Sequence, residues 1–258
     1  MIVVSKMFMH ERRSKILDYL NKEQRVTVKE LAKRLSVSEA TLRTDFSDME
    51  KEGLLKRTHG GAIIGQFDEK QFSFSNREKK NKEEKSLISI KAEKLISANQ
   101  CILLDASSTA LELAKRLKEN PKRLTIVTNG IYTALELRDV PEFTVILIGG
   151  VIRTGSGSLE STIDAGLLSK INIDLMFTSA SGFDFEKGLT DFNVYEVELK
   201  KEMVKASSKV IALLDYSKFG KSSLVTFATV DEISTIITDG QLSNEYIQLM
   251  EKSDIKLL

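Results

Sequence analysis

VSEATLRTDFSDMEKEGLLKRTHGGA, residues 37–62, decides how the N-terminal part of this 258-residue chain folds. Leu42, Phe46 and Met49 recur at spacings of four and three, which predicts a helix with one buried stripe. Ala40, Arg43, Thr44 and Ser47 then share the opposite face, small and polar apart from the arginine. Such a face fits a DNA major groove, where an arginine reaches phosphates or guanine edges. Ser38 is placed to cap this helix and Gly53 to stop it. Residues 54–58 and 62–65 flank a Gly60-Gly61 turn and read as a two-stranded wing carrying Arg57 and His59. Upstream, VTVKELAKRL (26–35) predicts a short helix with Leu31, Ala32 and Leu35 facing in. ERRSKILDYLN (11–21) predicts another, built on Ile16, Leu17 and Leu20. The pattern is a winged helix-turn-helix over residues 1–65, its helix-turn-helix at about 26–45 and its wing at about 54–65.

These residues resemble the "VSxxTIRRDLxxLexxGlLxRxHGGA" signature of the DeoR family of bacterial transcription regulators. The match is carried by Val37, Ser38, Thr41, Arg43, Asp45, Gly53, Leu55, Arg57, His59, Gly60, Gly61 and Ala62. The chain departs at Thr44, where the family has a second arginine that by resemblance touches DNA. The expected DNA-facing residues are therefore Ser38, Ala40, Thr41, Arg43, Thr44, Ser47, Arg57 and His59, and the expected partner is double-stranded operator DNA.

Composition bounds the alternatives. Hydrophobic content of 41% and charged content of 29% are ordinary for a globular protein. No apolar run approaches the roughly 20 residues needed to cross a bilayer. The opening MIVVSKMF is too short and too weakly charged for a secretory signal, and Cys101 has no second cysteine to pair with, so a cytoplasmic location without a membrane partner is expected. His10, His59 and Cys101 share no metal-ligand spacing, and neither a GxxxxGK[ST] nor a GxGxxG stretch occurs, so no metal and no cofactor are expected. The net charge of +1 conceals a basic head: residues 1–65 hold 13 Lys and Arg against 9 Asp and Glu, whereas residues 86–258 hold 19 against 23. A basic head on a mildly acidic body fits a part that meets nucleic acid and a part that does something else.

Residues 66–83, QFDEKQFSFSNREKKNKE, read as a charged, solvated linker with Phe67, Phe72 and Phe74 as docking points. From residue 84 onward strands and helices alternate. Strands are predicted at 101–104, 124–128, 144–150, 173–180, 210–215 and 233–238, and helices at 85–96, 108–117, 131–137, 164–170, 193–207 and 244–250. This argues for an α/β body with a mostly parallel sheet covered on both faces.

In such a sheet, ligands gather outside the carboxyl ends of the strands. Asp105, Ser107, Ser108 and Thr109 follow one strand where a helix begins, a natural anion site. Thr128 and Asn129, Gly149 and Gly150, residues 179–184, and Lys218 follow others. Each cluster alone also reads as a plain cap, turn or surface charge. The body, 84–258, resembles the sugar-phosphate sensor domain that follows DeoR-type heads, a fold similar to sugar-phosphate isomerases and CoA transferases. "DaGTT" appears as residues 105–109, "TN" as Thr128 and Asn129, "GG" as Gly149 and Gly150, and "GadG" as residues 179–182. "GLTD" appears as residues 188–191 and "DsSKfg" as residues 215–220. Ser107 replaces a glycine and Ser181 a frequent aspartate. The expected effector residues are Asp105, Ser107, Ser108, Thr109, Thr128, Asn129, Gly149, Gly150, Gly182, Asp184, Glu196 and Lys218.

The reading is a repressor of a sugar or polyol utilisation operon, working as a dimer or tetramer and switched by a phosphorylated sugar, without enzyme activity. The alternatives are an isomerase carrying a DNA-binding head, with Glu196 or Asp184 as base beside Lys218, and a head that serves only for dimerisation. The body holds no histidine, which weighs against the isomerase.

Overall fold

The computed structural model describes residues 12–13, 15–16, 19–20, 23, 25–51, 55–63, 74–153, 155–160 and 165–258. Leu17, the Gly53 stop, Leu54, Gly65, residues 66–73 and Asp164 lie outside the described residues. The chain divides into two compact units, residues 1–72 and 73–258.

In the first unit, β1 (Arg25–Thr27) leads directly into α1 (Val28–Leu35), and α2 (Glu39–Lys51) follows. The helix expected from residue 26 therefore starts two residues later. Val26 and Thr27 belong to a strand that pairs antiparallel with β3 (Gly61–Ile63), and the Thr27 hydroxyl accepts from the Glu30 amide at 3.2 Å, capping α1. β2 (Lys56–Thr58) pairs with the other edge of β3 and completes the wing. The tight packing explains one of the two glycines: a Cβ on Gly61 would strike the Val26 carbonyl, whereas Gly60 faces open space. Leu31, Leu35, Leu42, Phe46 and Met49 are buried, as are Ile16 and Leu20.

The second unit is built on a seven-stranded sheet in which every pairing is parallel. Its strands are β4 (Cys101–Leu104), β5 (Leu124–Thr128), β6 (Phe143–Leu147), β9 (Leu175–Thr178), β12 (Val210–Leu213), β14 (Ile233–Ile237) and β15 (Lys256–Leu257), in the order β15-β14-β12-β9-β4-β5-β6. Alternate residues feed two cores because side chains alternate across a strand. Leu103, Met176 and Ala212 pack on one face; Ile102, Leu104, Phe177, Ile211 and Leu213 pack on the other. Two helices cover the second face, α4 (Lys82–Glu93) through Ile88 and Ala92, and α5 (Ser108–Glu119) through Leu113 and Leu117. α6 (Ile131–Leu137) adds Leu137 to the same core.

The first face holds α8 (Val194–Lys205), preceded in the chain by α7 (Ala165–Leu168), and a small antiparallel sheet that the pattern of alternating strands and helices did not predict. That sheet has the order β10-β11-β13 and consists of β10 (Gly182–Asp184), β11 (Gly188–Asp191) and β13 (Val225–Ala228). A short hairpin, β7 (Val151–Ile152) and β8 (Leu159–Glu160), and a final helix α9 (Asn244–Glu251) complete the unit.

Two differences from expectation shape the site. The stretch read as a solvated linker includes a helix, α3 (Phe74–Lys79), and the start of α4, which begins at Lys82 rather than residue 85. Several strands also stop early: β9 ends at Thr178 and β12 at Leu213, which leaves Ser179–Ser181 and Asp215–Lys218 as loops beyond the sheet edge.

Candidate functional site

On the head, the stripe of Leu42, Phe46 and Met49 fixes which side of α2 faces solvent. Ala40, Arg43 and Thr44 are exposed, and Thr41 and Ser47 half-buried. The Ser38 hydroxyl accepts from the Thr41 amide at 3.1 Å and lies 2.8 Å from the Thr41 hydroxyl, so these two side chains order the first turn. Arg43 lies 3.5 Å from Glu39, a pair half-exposed on both sides and loose enough to exchange for a phosphate. Thr44 turns its hydroxyl back to the Ala40 carbonyl at 3.2 Å. Arg57 and His59 stand exposed on the wing beside Lys56, which the sequence reading passed over. The Arg57 amide donates to Glu50 at 2.8 Å, joining the wing to the end of α2.

Asp45, noted in the sequence only as part of the signature, is buried and has a structural task. It accepts from Arg12 at 2.5 and 3.0 Å, with Arg13 at 3.8 Å, which ties α2 to the preceding helical residues. The hydrogen bond to Asp45 raises the Arg12 pKa further.

In the body, the loops after β4, β9 and β12, three neighbouring strands, converge on one cleft. Ser107, Ser108 and Thr109 line it at the start of α5, Ser179 and Ser181 beyond β9, and Ser217 and Lys218 beyond β12. Ser107 spends its hydroxyl on the Ala110 amide (3.1 Å), and Ser108 donates to the Arg77 carbonyl (3.3 Å). The α5 dipole and the backbone amides of Ser108 and Thr109, which have no partner within the helix, remain the natural anion donors. Asp215 accepts from the Ser217 amide and hydroxyl (3.0 and 2.5 Å) and shapes the turn that presents Lys218.

Under the cleft lies a buried ionic cluster. Lys200 donates to the Ser179 carbonyl and to Asp191, both at 3.0 Å, and lies 3.2 Å from Asp105 and 3.9 Å from Glu196. Burial opposes charge on Lys200, but Asp191, Asp105 and Glu196 together outweigh it and keep the ammonium protonated. Asp191 is likewise held below the usual carboxylate range, because Lys200 and the Ser181 hydroxyl (2.7 Å) outweigh its burial. Glu196 receives less, and burial pushes it up to about 7. Asp105 accepts from the Ser107 amide (3.0 Å), the Thr178 hydroxyl (2.7 Å) and the Ser179 amide (3.1 Å), so it fixes two of the cleft's loops rather than facing a ligand.

Two further cations of the cleft are differently placed. Burial brings Lys85 down to about 8, and Lys218 and Arg77 add to that effect while Asp215 opposes it. Burial also lowers Lys218, with Asp215 and Asp191 opposing and Arg77 and Lys80 adding. These groups are crowded with like charge, a setting that an anion relieves.

Of the residues expected around the effector, the structure brings Ser107, Ser108, Thr109 and Lys218 onto the cleft wall and sets Asp105 and Glu196 in the cluster beneath. The others do not line it. Thr128 accepts the Gly130 amide (2.9 Å), and Asn129 donates to the Leu159 carbonyl (3.2 Å). A Cβ on Gly150 would meet the Glu160 carbonyl at 2.6 Å, so this glycine, following Gly149, admits the β7–β8 hairpin. Gly182 packs against the Lys221 backbone, and Asp184 accepts the Glu186 and Lys187 amides (2.8 and 3.0 Å) in the β10–β11 turn. Arg77, Lys80, Asn81 and Lys85 are lining residues that sequence reasoning missed, as it missed Lys200.

Residues 12–66 match the DeoR-like helix-turn-helix domain, and residues 80–240 match the DeoR C-terminal sensor domain. The chain belongs to the DeoR family. Like its relatives it is a DNA-binding transcriptional regulator. It is similar to the transcriptional regulator GolR of Listeria innocua, 46% identical over 92% of this chain and 93% of that one. It is 32% identical to the regulator GlpR of Haloferax volcanii over 96% of each chain. To the repressor GlcR of Bacillus subtilis it is 32% identical over 98% of this chain and 96% of that one. Among solved structures, ribose 5-phosphate isomerase A of Neisseria gonorrhoeae aligns at a TM-score of 0.40 and 17% identity, covering 54% of this chain and 53% of that one. In this DeoR-type regulator the cleft therefore lies within the sensor half, with one lining residue, Arg77, just before the matched region and another, Lys80, at its first position.

Proposed function

We propose that this regulator represses a sugar or polyol utilisation operon in the cytoplasm, binding its operator as two or more copies, and is released when a phosphorylated sugar fills the cleft. One observation carries the reading: Lys85 and Lys218 crowd a cleft at the start of α5, both held below the usual lysine range by burial and by neighbouring cations. A phosphate there would meet helix-terminal amides and ammonium groups together, while Ser179 and Ser181 offer hydroxyl-sized partners to a polyol. Two relatives, named the glycerol-3-phosphate regulon repressor of Escherichia coli and the L-fucose operon activator of Haemophilus influenzae, agree with a small carbohydrate ligand. Glu196, the candidate general base, sits in the ionic cluster rather than on the cleft wall, which favours a binding site over a catalytic one.

On the head, one arginine per recognition helix gives few base contacts, so two half-sites supply the needed specificity. The test is operator binding by fluorescence anisotropy, using the promoter of the protein's own operon and a panel of sugar phosphates. The expected result is a weakening of roughly 5–150-fold by one of them, lost in Lys218→Gln while the variant still binds DNA. Unchanged affinity across the panel refutes the switch. Thr44→Arg, which adds a cation to the exposed face of α2, is expected to steepen the salt dependence of binding by about one unit of slope.

A further inference from the structure

The segment that follows the head in sequence is part of the ligand cleft. This inference rests on reading that cleft as an anion site and concerns how its occupancy is felt. Phe74 is buried and stacks on Tyr132 with ring centroids 4.5 Å apart, and its amide donates to the Gly155 carbonyl at 3.3 Å. Its ring leaves no room for a Cβ on Gly157, which would come within 2.6 Å. Glu78 pairs with Lys115 at 2.7 Å. Lys85 donates to the carbonyls of Arg77 and Lys80. At the far end, Asn81 takes a left-handed conformation (φ 52°) and donates to Asp215 at 3.0 Å and Ser217 at 3.3 Å. Backbone groups and uncharged side chains thus do most of the docking.

The side chains of Arg77 and Lys80 do the opposite. Arg77 and Lys80 line the same cleft as Lys85 and Lys218. Asp191 is engaged by Lys200 and Asp215 by Ser217 and Asn81, so the acids nearby have other partners. The Arg77 guanidinium stacks over Phe74 at 5.6 Å, and its Nε is buried without a hydrogen-bond acceptor among the described residues. A buried charged donor left unpaired is costly, and such groups mark where a partner belongs.

The geometry points to residues 74–81 as a sensing strap: Arg77 and Lys80 hold the anionic group of the effector, and its arrival turns their repulsion with Lys85 and Lys218 into a bridge. Occupancy then fastens the stretch of chain that leads back to the head, and this is how the ligand reaches operator affinity. An uncharged sugar would not fasten the strap, so Arg77 and Lys80 also select for the phosphorylated form.

The test uses the full chain, with inorganic phosphate, glycerol 3-phosphate, ribose 5-phosphate and glucose 6-phosphate as probes. Amide hydrogen exchange over residues 74–81 and binding by calorimetry are measured in the parent, Arg77→Gln, Lys80→Gln and Lys218→Gln. A probe that binds the parent should slow exchange across residues 74–81. Arg77→Gln and Lys80→Gln should each weaken it about tenfold or more, with melting temperatures unchanged because the docking carbonyls remain. If a probe binds the parent and not Lys218→Gln, yet the strap exchanges as before and both strap variants bind like the parent, the strap is overturned and the cleft reading stands. If no probe binds the parent, both fall.

Discussion

Lys200→Met tests the claim that the floor of the cleft is held by one buried cation. The side chain is 2% exposed and serves Asp191 at 3.0 Å, Asp105 at 3.2 Å and Glu196 at 3.9 Å. Methionine fills a similar volume but leaves those carboxylates without a counter-charge. Breaking a buried pair from one side costs about 3–5 kcal/mol. For a unit spanning residues 73–258, each kcal/mol moves the melting temperature by roughly 2–4 °C, so the loss should be roughly 6–20 °C at pH 8. The sign of its pH dependence is fixed. Without Lys200 the native carboxylates titrate above their unfolded values, so the penalty is full at high pH and fades as pH falls through those raised values. Calorimetric melts at pH 5.5 and pH 8 check both points. A loss under about 3 °C at pH 8, against the several degrees expected, or an equal loss at both pH values, refutes the account of the cluster.

Other expectations follow from the same geometry. Glu196 titrates near 7 in the folded chain against 4.5 for the free group, so the parent loses stability as pH rises between those values. Glu196→Gln should stay flat over that interval and exceed the parent by up to about 3 kcal/mol at pH 8, measured by urea titration; identical profiles contradict it. Lys85 titrates near 8 when buried among cations, and a bound phosphate raises it, so affinity should hold below pH 8, fall above it, and be accompanied by proton uptake in calorimetry run in two buffers. Asp45→Ala removes the buried carboxylate that Arg12 holds and Arg13 approaches, and should cost the head about 3 kcal/mol, seen as weakened operator binding with the sensor's own melting unchanged. Gly188→Ala meets both a left-handed backbone (φ 75°) and the Ala228 carbonyl. A loss below about 1 kcal/mol in urea unfolding would mean that the β10–β11 hairpin yields more easily than its packing indicates.

The recognition helix was legible because Leu42, Phe46 and Met49 repeat at helical spacing, and the parallel sheet because runs such as LTIVT are apolar on both faces. The small antiparallel sheet was not, since GFD and GLTD are short, rich in glycine, and show no alternation. The strap escaped for a related reason: FSNREK buries only Phe74, and its charges look like solvent-facing ones. Lys200 was hidden by its neighbours, because EVELKKEM reads as an exposed, salt-bridged helix surface. Only tertiary packing shows that Glu196 and Lys200 are among its buried members. The cleft's loops were anticipated after β4, β9 and β12, whereas Thr128, Asn129 and the two glycines sit at strand ends farther along the sheet order and serve the backbone instead.

The hydrogen bond from Asn81 to Asp215 spans 134 positions of chain. The cleft is thus closed by the first and the last thirds of the body, and it has no existence while the chain between them is still being made. At the usual 5–20 residues per second, the stretch from Ile63 to Lys218 takes roughly 8–30 s to synthesise. During that interval a completed head is attached to a body whose cleft is not yet formed. A newborn molecule therefore carries a finished head before its cleft exists, and only chains that have been completed present the two together.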